Sequence, residues 1–184
     1  MDSFILKTIP CKRGRFLTSG IQLKEVCQEL DNFDRHYLAA LLAQSAQVFH
    51  SSPWFASWDT RSIQFFEDTA TSKAKTLWRP HLLPKFSQQV HTSNKLRILG
   101  LILLELGGID LDEYAPMEPD SGIKLALKQL THITGLPYKR AVQCCFQGCD
   151  RLPNNGTRKE RDFEEVLEMI KDLERVGRET YRGM

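Results

Sequence analysis

The sequence predicts a mainly α-helical domain with one small β-hairpin. Three observations lead there. Apolar residues recur at intervals of three and four in several stretches, the signature of helices with one buried face. One stretch, "LRILGLILLEL", has almost no polar face at all. Only the segment from Pro53 to Pro84 abandons helical spacing; it carries all three tryptophans (Trp54, Trp58, Trp78) and several turn formers.

In chain order, Ser19-Gly20-Ile21-Gln22 fits a capping box, with the Ser hydroxyl and the Gln amide satisfying free backbone donors. Leu23, Val26, Cys27 and Leu30 then follow at helical spacing. Asp34 is the expected cap of a second helix, whose inner face holds Leu38, Leu41, Leu42, Ser45, Ala46 and Phe49. That helix should stop near Ser51-Ser52-Pro53, because Pro53 disfavours helix at the residue before it. Ile63, Phe65 and the Leu77-Trp78 pair are the expected strands of the hairpin, with Ile63 and Phe65 on one face and Phe66 on the other.

Helix returns at about Thr92 and ends at Gly107-Gly108. With only Arg97, Gly100 and Glu105 interrupting its Leu/Ile run, this helix should be buried nearly all round. It is too short for a membrane, which needs roughly 20 apolar residues. The connection from Asp110 to Pro119 is acidic and turn-rich. Asp120 is the expected cap of a helix with Ile123, Leu127, Leu130 and Ile133 inside, stopped by Gly135. Pro137 suits the first turn of the next helix, which should bury Ala141, Val142, Cys145 and Phe146. "RLPNNGT" reads as a loop, so the sequon Asn155-Gly156-Thr157 marks an exposed turn. A last amphipathic helix follows, with Phe163, Val166, Leu167, Ile170 and Leu173 on one stripe. The expectation is six helices and one hairpin, with no internal repeat.

A chain of 184 residues is long enough for one such domain. Its net charge of +2 is mixed along the sequence, without a basic block to track phosphates, so nucleic acid and anionic membrane are poor candidates for partners. The N-terminus has its charges after a three-residue apolar patch, unlike a secretory signal. The expected location is therefore cytoplasmic, and the five cysteines (Cys11, Cys27, Cys144, Cys145, Cys149) are expected as free thiols.

Candidate chemistry is sparse. Cys144, Cys145 and Cys149 suggest zinc, but only Cys145 and Cys149 share a helix face, and His132 lies across a predicted turn; tetrahedral zinc needs four ligands. Buried thiols packing a helix is the preferred reading, and no metal or cofactor is expected. The histidines are scattered, so no cysteine nucleophile has an evident base. Gly107-Gly108 follows a helix, and its amides point the wrong way for a phosphate. Asp110, Asp112 and Glu113 lack the calcium-loop pattern and read as a solvated turn. The tryptophans either anchor an irregular segment to the core or mark a binding surface.

"HYLAALLAQSAQVFHSSPWFASWDTRSIQFF" resembles the part of a protein-kinase large lobe where a long helix ends in Leu-His and passes through the catalytic loop into a hairpin. Phe49-His50 stands at the Leu-His position. "LRILGLILLELGGI" is similar to the lobe's central buried helix, with Gly100 and Glu105-Leu106 matching. "YKRAVQCCFQGCDRL" and "DFEEVLEMIKDLERV" are similar to its last helices. A closer resemblance is to a kinase-like domain family widespread in filamentous fungi, through "LLAQSAQVFHSSPWFASWDTRSIQF" and "LGLILLEL". In that family the domain often follows a helical N-terminal region, and some architectures are associated with prion-like or incompatibility signalling.

The resemblance implies a degenerate protein-kinase C-lobe-like helical domain with one small β-hairpin. It covers roughly residues 20 to 175. The kinase chemistry is missing from the motifs. Setting Ser62-Ile63 on the kinase Asn-Ile pair puts Ser57 at the catalytic base and Ser62 at the metal-binding Asn. Asp59 falls two residues after the base position. Lys95 stands where the central helix carries an Asp, no Asp-Phe-Gly occurs, and no room remains for a small lobe. The expected function is thus protein–protein interaction or regulation without catalysis. The rival is an enzyme that reuses the fold with Asp59 as general base. A third expectation is that the chain is a fragment of a longer protein whose other part carries the function, with residues 1–18 the remnant of a missing upstream region and residues 19–184 the helical domain. In a complete kinase the segment equivalent to Phe55–Phe66 faces the small lobe. Trp58 and Arg61 are therefore the candidate partner-binding residues, for another protein or for the chain's own upstream segment. The alternative is that Trp58 folds back and plugs the gap.

Overall fold

The computed structural model describes residues 21–49, 63–66, 79–82, 95–150 and 156–181, and over them the chain is mainly helical. Ile21–Gln22 form a short strand, β1, and Leu23–Val26 a single helical turn, α1. This corrects the expected capping box. Gln22 has extended backbone (φ −73°, ψ 154°) and makes no side-chain cap bond; Ser19 lies outside the described residues. The backbone of Ile21 and Gln22 pairs with Phe65 and Gln64 instead of entering a helix. A ladder to another segment overrides the local signal here.

Helix α2 spans Asn32–Phe49. Its cap is Asp31, three residues before the expected Asp34: the Asp31 carboxylate accepts the Asp34 amide at 2.8 Å, as an N-cap side chain does. Its described residues run to Phe49, and the expected stop at Ser51-Ser52-Pro53 lies outside the described residues. Leu38, Leu42 and Ala46 of the expected face are buried, and so are Ala39, Ala40 and Ala43, so α2 is covered on more than one side.

The expected strand pair exists, with its second member shifted. Strand β2 (Ile63–Phe66) pairs antiparallel with β3 (Arg79–Leu82), Ile63 opposite Leu82 and Phe66 opposite Arg79. The expected Leu77-Trp78 lies just before β3, outside the described residues. Strand order is β1-β2-β3, which leaves β3 at an edge. An edge tolerates Pro80, because one side of such a strand makes no ladder and a missing N–H costs nothing there. Ile63 is fully buried and ties the sheet to the core.

Helix α3, Lys95–Leu106, is the apolar helix picked out in the sequence. Every residue in it is buried or half-buried. Its end is a Schellman motif: Ile109 N donates to Leu104 O (3.1 Å), Gly108 N donates to Glu105 O (2.9 Å), and Gly108 takes φ +89°. Ile109 and Leu104, the positions whose apolar side chains such a motif brings together, are both buried. A 3-10 turn at Leu111–Glu113 leads to α4, Pro119–Thr134. The cap of α4 is Glu118, whose carboxylate accepts Ser121 N, and not the expected Asp120; Pro119 occupies the first turn, where its missing N–H is harmless. Gly135 (φ +86°) ends α4, and its carbonyl accepts Lys139 N in the first turn of α5 (Leu136–Asp150). One left-handed glycine thus closes one helix and opens the next. Helix α6, Gly156–Tyr181, takes in Gly156 and Thr157, which the sequence placed in a loop.

The four expected inner residues of α5 are all buried, as are Val166, Leu167, Ile170 and Leu173 of α6. Helix α3 packs on α1, α2, α4, α5 and the 3-10 turn, in keeping with a central helix. Helix α6 departs from that plan: it packs chiefly on α2 and α5, and α2–α6 is the most extensive helix pair. Among the described residues no helix is long and apolar enough to cross a membrane.

Candidate functional site

Trp58 and Arg61, the partner-binding candidates, and Asp59, the candidate base, all lie outside the described residues, as does Ser57. Polar chemistry within the described residues gathers in two interior seams and at one surface cleft.

The first seam joins α2, α5 and α6 around His36, which is only 1% exposed. Its ring meets Tyr138 of α5 edge-on at 5.2 Å between centroids, and Tyr181 of α6 at 5.5 Å. Its Nδ1 lies 2.7 Å from the carbonyl of Asn32. A carbonyl only accepts, so Nδ1 donates and the neutral ring holds its lone pair on Nε2. Gly177 of α6 passes so close that a Cβ built there would stand 2.9 Å from the His36 Cβ. Burial pushes the His36 pKa down, and the bond to Asn32 opposes it only in part. Further along the same face of α2, past Ala40 and Ala43, Lys171 of α6 donates to Gln47 at 2.7 Å.

The second seam joins α1, α2, α3 and α5. Tyr138, fully buried, donates its hydroxyl to Leu103 O at 3.0 Å. Arg35 donates to Cys27 O at 3.1 Å, and its guanidinium covers Gly108 at the end of α3. Cys27 is buried. Desolvation first, and then the nearby Glu105 charge, push its thiol up to about 12, against the opposing pull of Arg35. Such a thiol stays protonated and is a poor nucleophile. Tyr138 is held well above the usual phenol range, mainly by burial.

A shallow cleft of about 200 Å³ lies between α5 and α6, lined by Pro137, Arg140, Met169, Asp172, Leu173 and Val176. Asp172 is taken by a bidentate bond from Arg175, at 2.7 and 2.8 Å. The volume falls below the ~300 Å³ at which small-molecule pockets begin.

The remaining sequence candidates separate. Cys145 is buried and donates to Ala141 O, Cys144 is half-buried, and neither forms a disulfide; Cys11 and the Cys149 side chain lie outside the described residues. Asp110 and Asp112 are both held by Lys24, at 2.9 and 2.8 Å, and Asp110 also accepts Asp112 N, the geometry of an ordinary surface turn. Among the described residues no three His, Cys, Asp or Glu side chains gather as a metal site would require. No family model, curated protein or solved structure matches the chain.

Sequence reasoning passed over His36, Gly177 and Tyr181. One signal was available. A glycine inside an amphipathic helix costs about 1 kcal/mol against alanine and therefore points to a close approach.

Proposed function

We propose that this chain is a catalytically inert, kinase large-lobe-like helical domain that binds or regulates another protein. One observation carries the reading: a long helix, α2, is followed by an antiparallel strand pair and then by a helix, α3, with no exposed residue. That is the element order which the sequence resemblance implies. The substitution of Ser57 and Ser62 at the base and metal positions supports the inert half of the proposal. The docking residues proposed are Trp58 and Arg61, of the residue types that dominate interface hot spots.

Two measurements test it. Millimolar Mg-ATP should leave the melting temperature unchanged, since a ligand stabilises only a native state that binds it; a clear upward shift overturns the inert reading. A protein captured from native extract by the full chain should be lost with the double variant Trp58→Ala/Arg61→Ala. Capture unaffected by that pair, in a variant that melts like the parent, places the docking surface elsewhere.

A further inference from the structure

We infer that the last turn of α6 is an acid-released latch, held on α2 and α5 by neutral His36 and let go when that ring takes up a proton. The inference rests on what surrounds the ring. On α2 the Asn32 carbonyl already accepts the Nδ1 proton. From α5 comes the ring of Tyr138, whose hydroxyl is committed to Leu103 O. From α6 come the backbone of Gly177 and the ring of Tyr181. Arg35, the neighbouring cation, turns away toward Cys27 and Gly108. Among the described residues no carboxylate hydrogen-bonds or pairs with the imidazole. An imidazolium carries a second N–H and a full charge, and among the described residues no counter-ion pairs with the ring and no second hydrogen bond meets it.

Water is the remaining partner, and the walls differ in how readily they admit it. Tyr138 is fully buried and fixed at both ends. Tyr181 is half-buried, at the very end of α6, with exposed Arg178, Glu179 and Thr180 before it. Its hydroxyl rests near Gly135, at the corner between α4 and α5. Peeling back that one turn hydrates His36 without disturbing the core, and helix ends are where local opening costs least. The downward push on the His36 pKa has the matching sign. The closed form favours the neutral ring, so closure is complete above the ordinary value of 6.5 and weakens as pH falls below it.

The test follows the His36 imidazole by NMR on the full chain from about pH 7.5 to about pH 5, with amide-exchange protection measured on the same samples. Exposed His132 serves as the internal control. The expected result is a loss of protection at Gly177–Tyr181 of about tenfold per pH unit below 6.5, the slope of one proton, in step with His36 protonation. Ile102–Leu106 should keep their protection throughout. In His36→Gln, neutral at every pH, the profile at Gly177–Tyr181 should be flat; the same acid loss in that variant overturns the latch. Should His36→Gln fail to fold, the parent protein decides. His36 protonating with no local loss, or all helices losing protection together, overturns the inference.

Discussion

Among the described residues, α3 and α6 each carry a glycine within the helix on which a neighbouring helix closes, and the two seams are filled differently. Where α3 meets α5, a Cβ at Gly100 would stand 2.8 Å from the Phe146 ring and 2.9 Å from Cys145 Cβ. The surroundings are Leu99, Leu103, Ala141 and Val142, all fully buried. Where α2 meets α6, Gly177 presses on His36, whose ring is flanked by two tyrosines. Geometry is shared, and chemistry is not. A seam of hydrocarbon answers to volume alone, whereas a seam around a titratable ring also answers to pH. The comparison teaches that close packing and chemical responsiveness are set separately, the first by the absence of a side chain and the second by what the absence faces.

Volume should dominate in the α3 seam. Leu103 is fully buried, and Leu103→Ala should cost about 2–5 kcal/mol through lost transfer energy plus a cavity, read as a lower denaturant midpoint. A midpoint unchanged by that truncation would show that α3 is not a packed centre.

Alkali should find a responsive group beside α3. The Cys27 thiol is raised from 9.0 to about 12 in the fold, so its contribution is complete below about 9 and is lost as pH climbs toward about 12. Above 9.0 the parent should lose about 1.4 kcal/mol per pH unit that Cys27→Ala does not lose. Urea melts of both proteins at about pH 8 and about pH 10 measure the difference; parallel losses would remove Cys27 from the account.

The two glycines allow a direct contrast. Alanine at either one overpacks a rigid contact, at about 1–3 kcal/mol. Better helix propensity returns about 1 kcal/mol of that. The Gly100→Ala deficit should be the same at neutral and mildly acidic pH. The Gly177→Ala deficit should shrink in acid, because the contact it strains is already opening. Equal pH profiles for the two variants would erase the distinction between the seams.

The smallest effect joins them. Tyr138 touches His36 with its ring and Leu103 O with its hydroxyl. Tyr138→Phe keeps the ring, and Leu103 O still accepts Gly107 N at 2.9 Å, so no acceptor is orphaned. The expected cost is about 0.5–1.5 kcal/mol. The His36 imidazole shift at neutral pH should hardly move; a large movement would mean that the hydroxyl, and not the ring, sets the histidine's surroundings.

Legibility from the sequence follows the same divide. The buried faces of α3, α5 and α6 were readable because apolar periodicity is a local property of the chain. Gly107-Gly108 and Gly135 were readable as stops because only glycine enters a left-handed turn cheaply. The misplaced caps of α2 and α4 have one cause. Asp31 and Glu118 compete with Asp34 and Asp120 for the same free amides, and composition does not rank neighbours two or three residues apart. The candidate docking residues were chosen by resemblance and residue type, and Trp58 and Arg61 keep that standing.

By itself the sequence determined the helical class, the six α-helices found among the described residues, the buried character of α3 and the inner face of each later helix, because burying apolar side chains at a fixed spacing is the dominant local constraint. It also determined that a strand pair separates α2 from α3. Tertiary structure alone decided that Ile21–Gln22 would be strand and not helix, since that depended on the free edge of β2. It alone decided that α6 would lie chiefly on α2, and that a histidine with no sequence signature would be enclosed by residues from helices more than a hundred positions away. A polar group's surroundings come from whichever segments the core brings beside it, and no window of neighbouring residues contains that information.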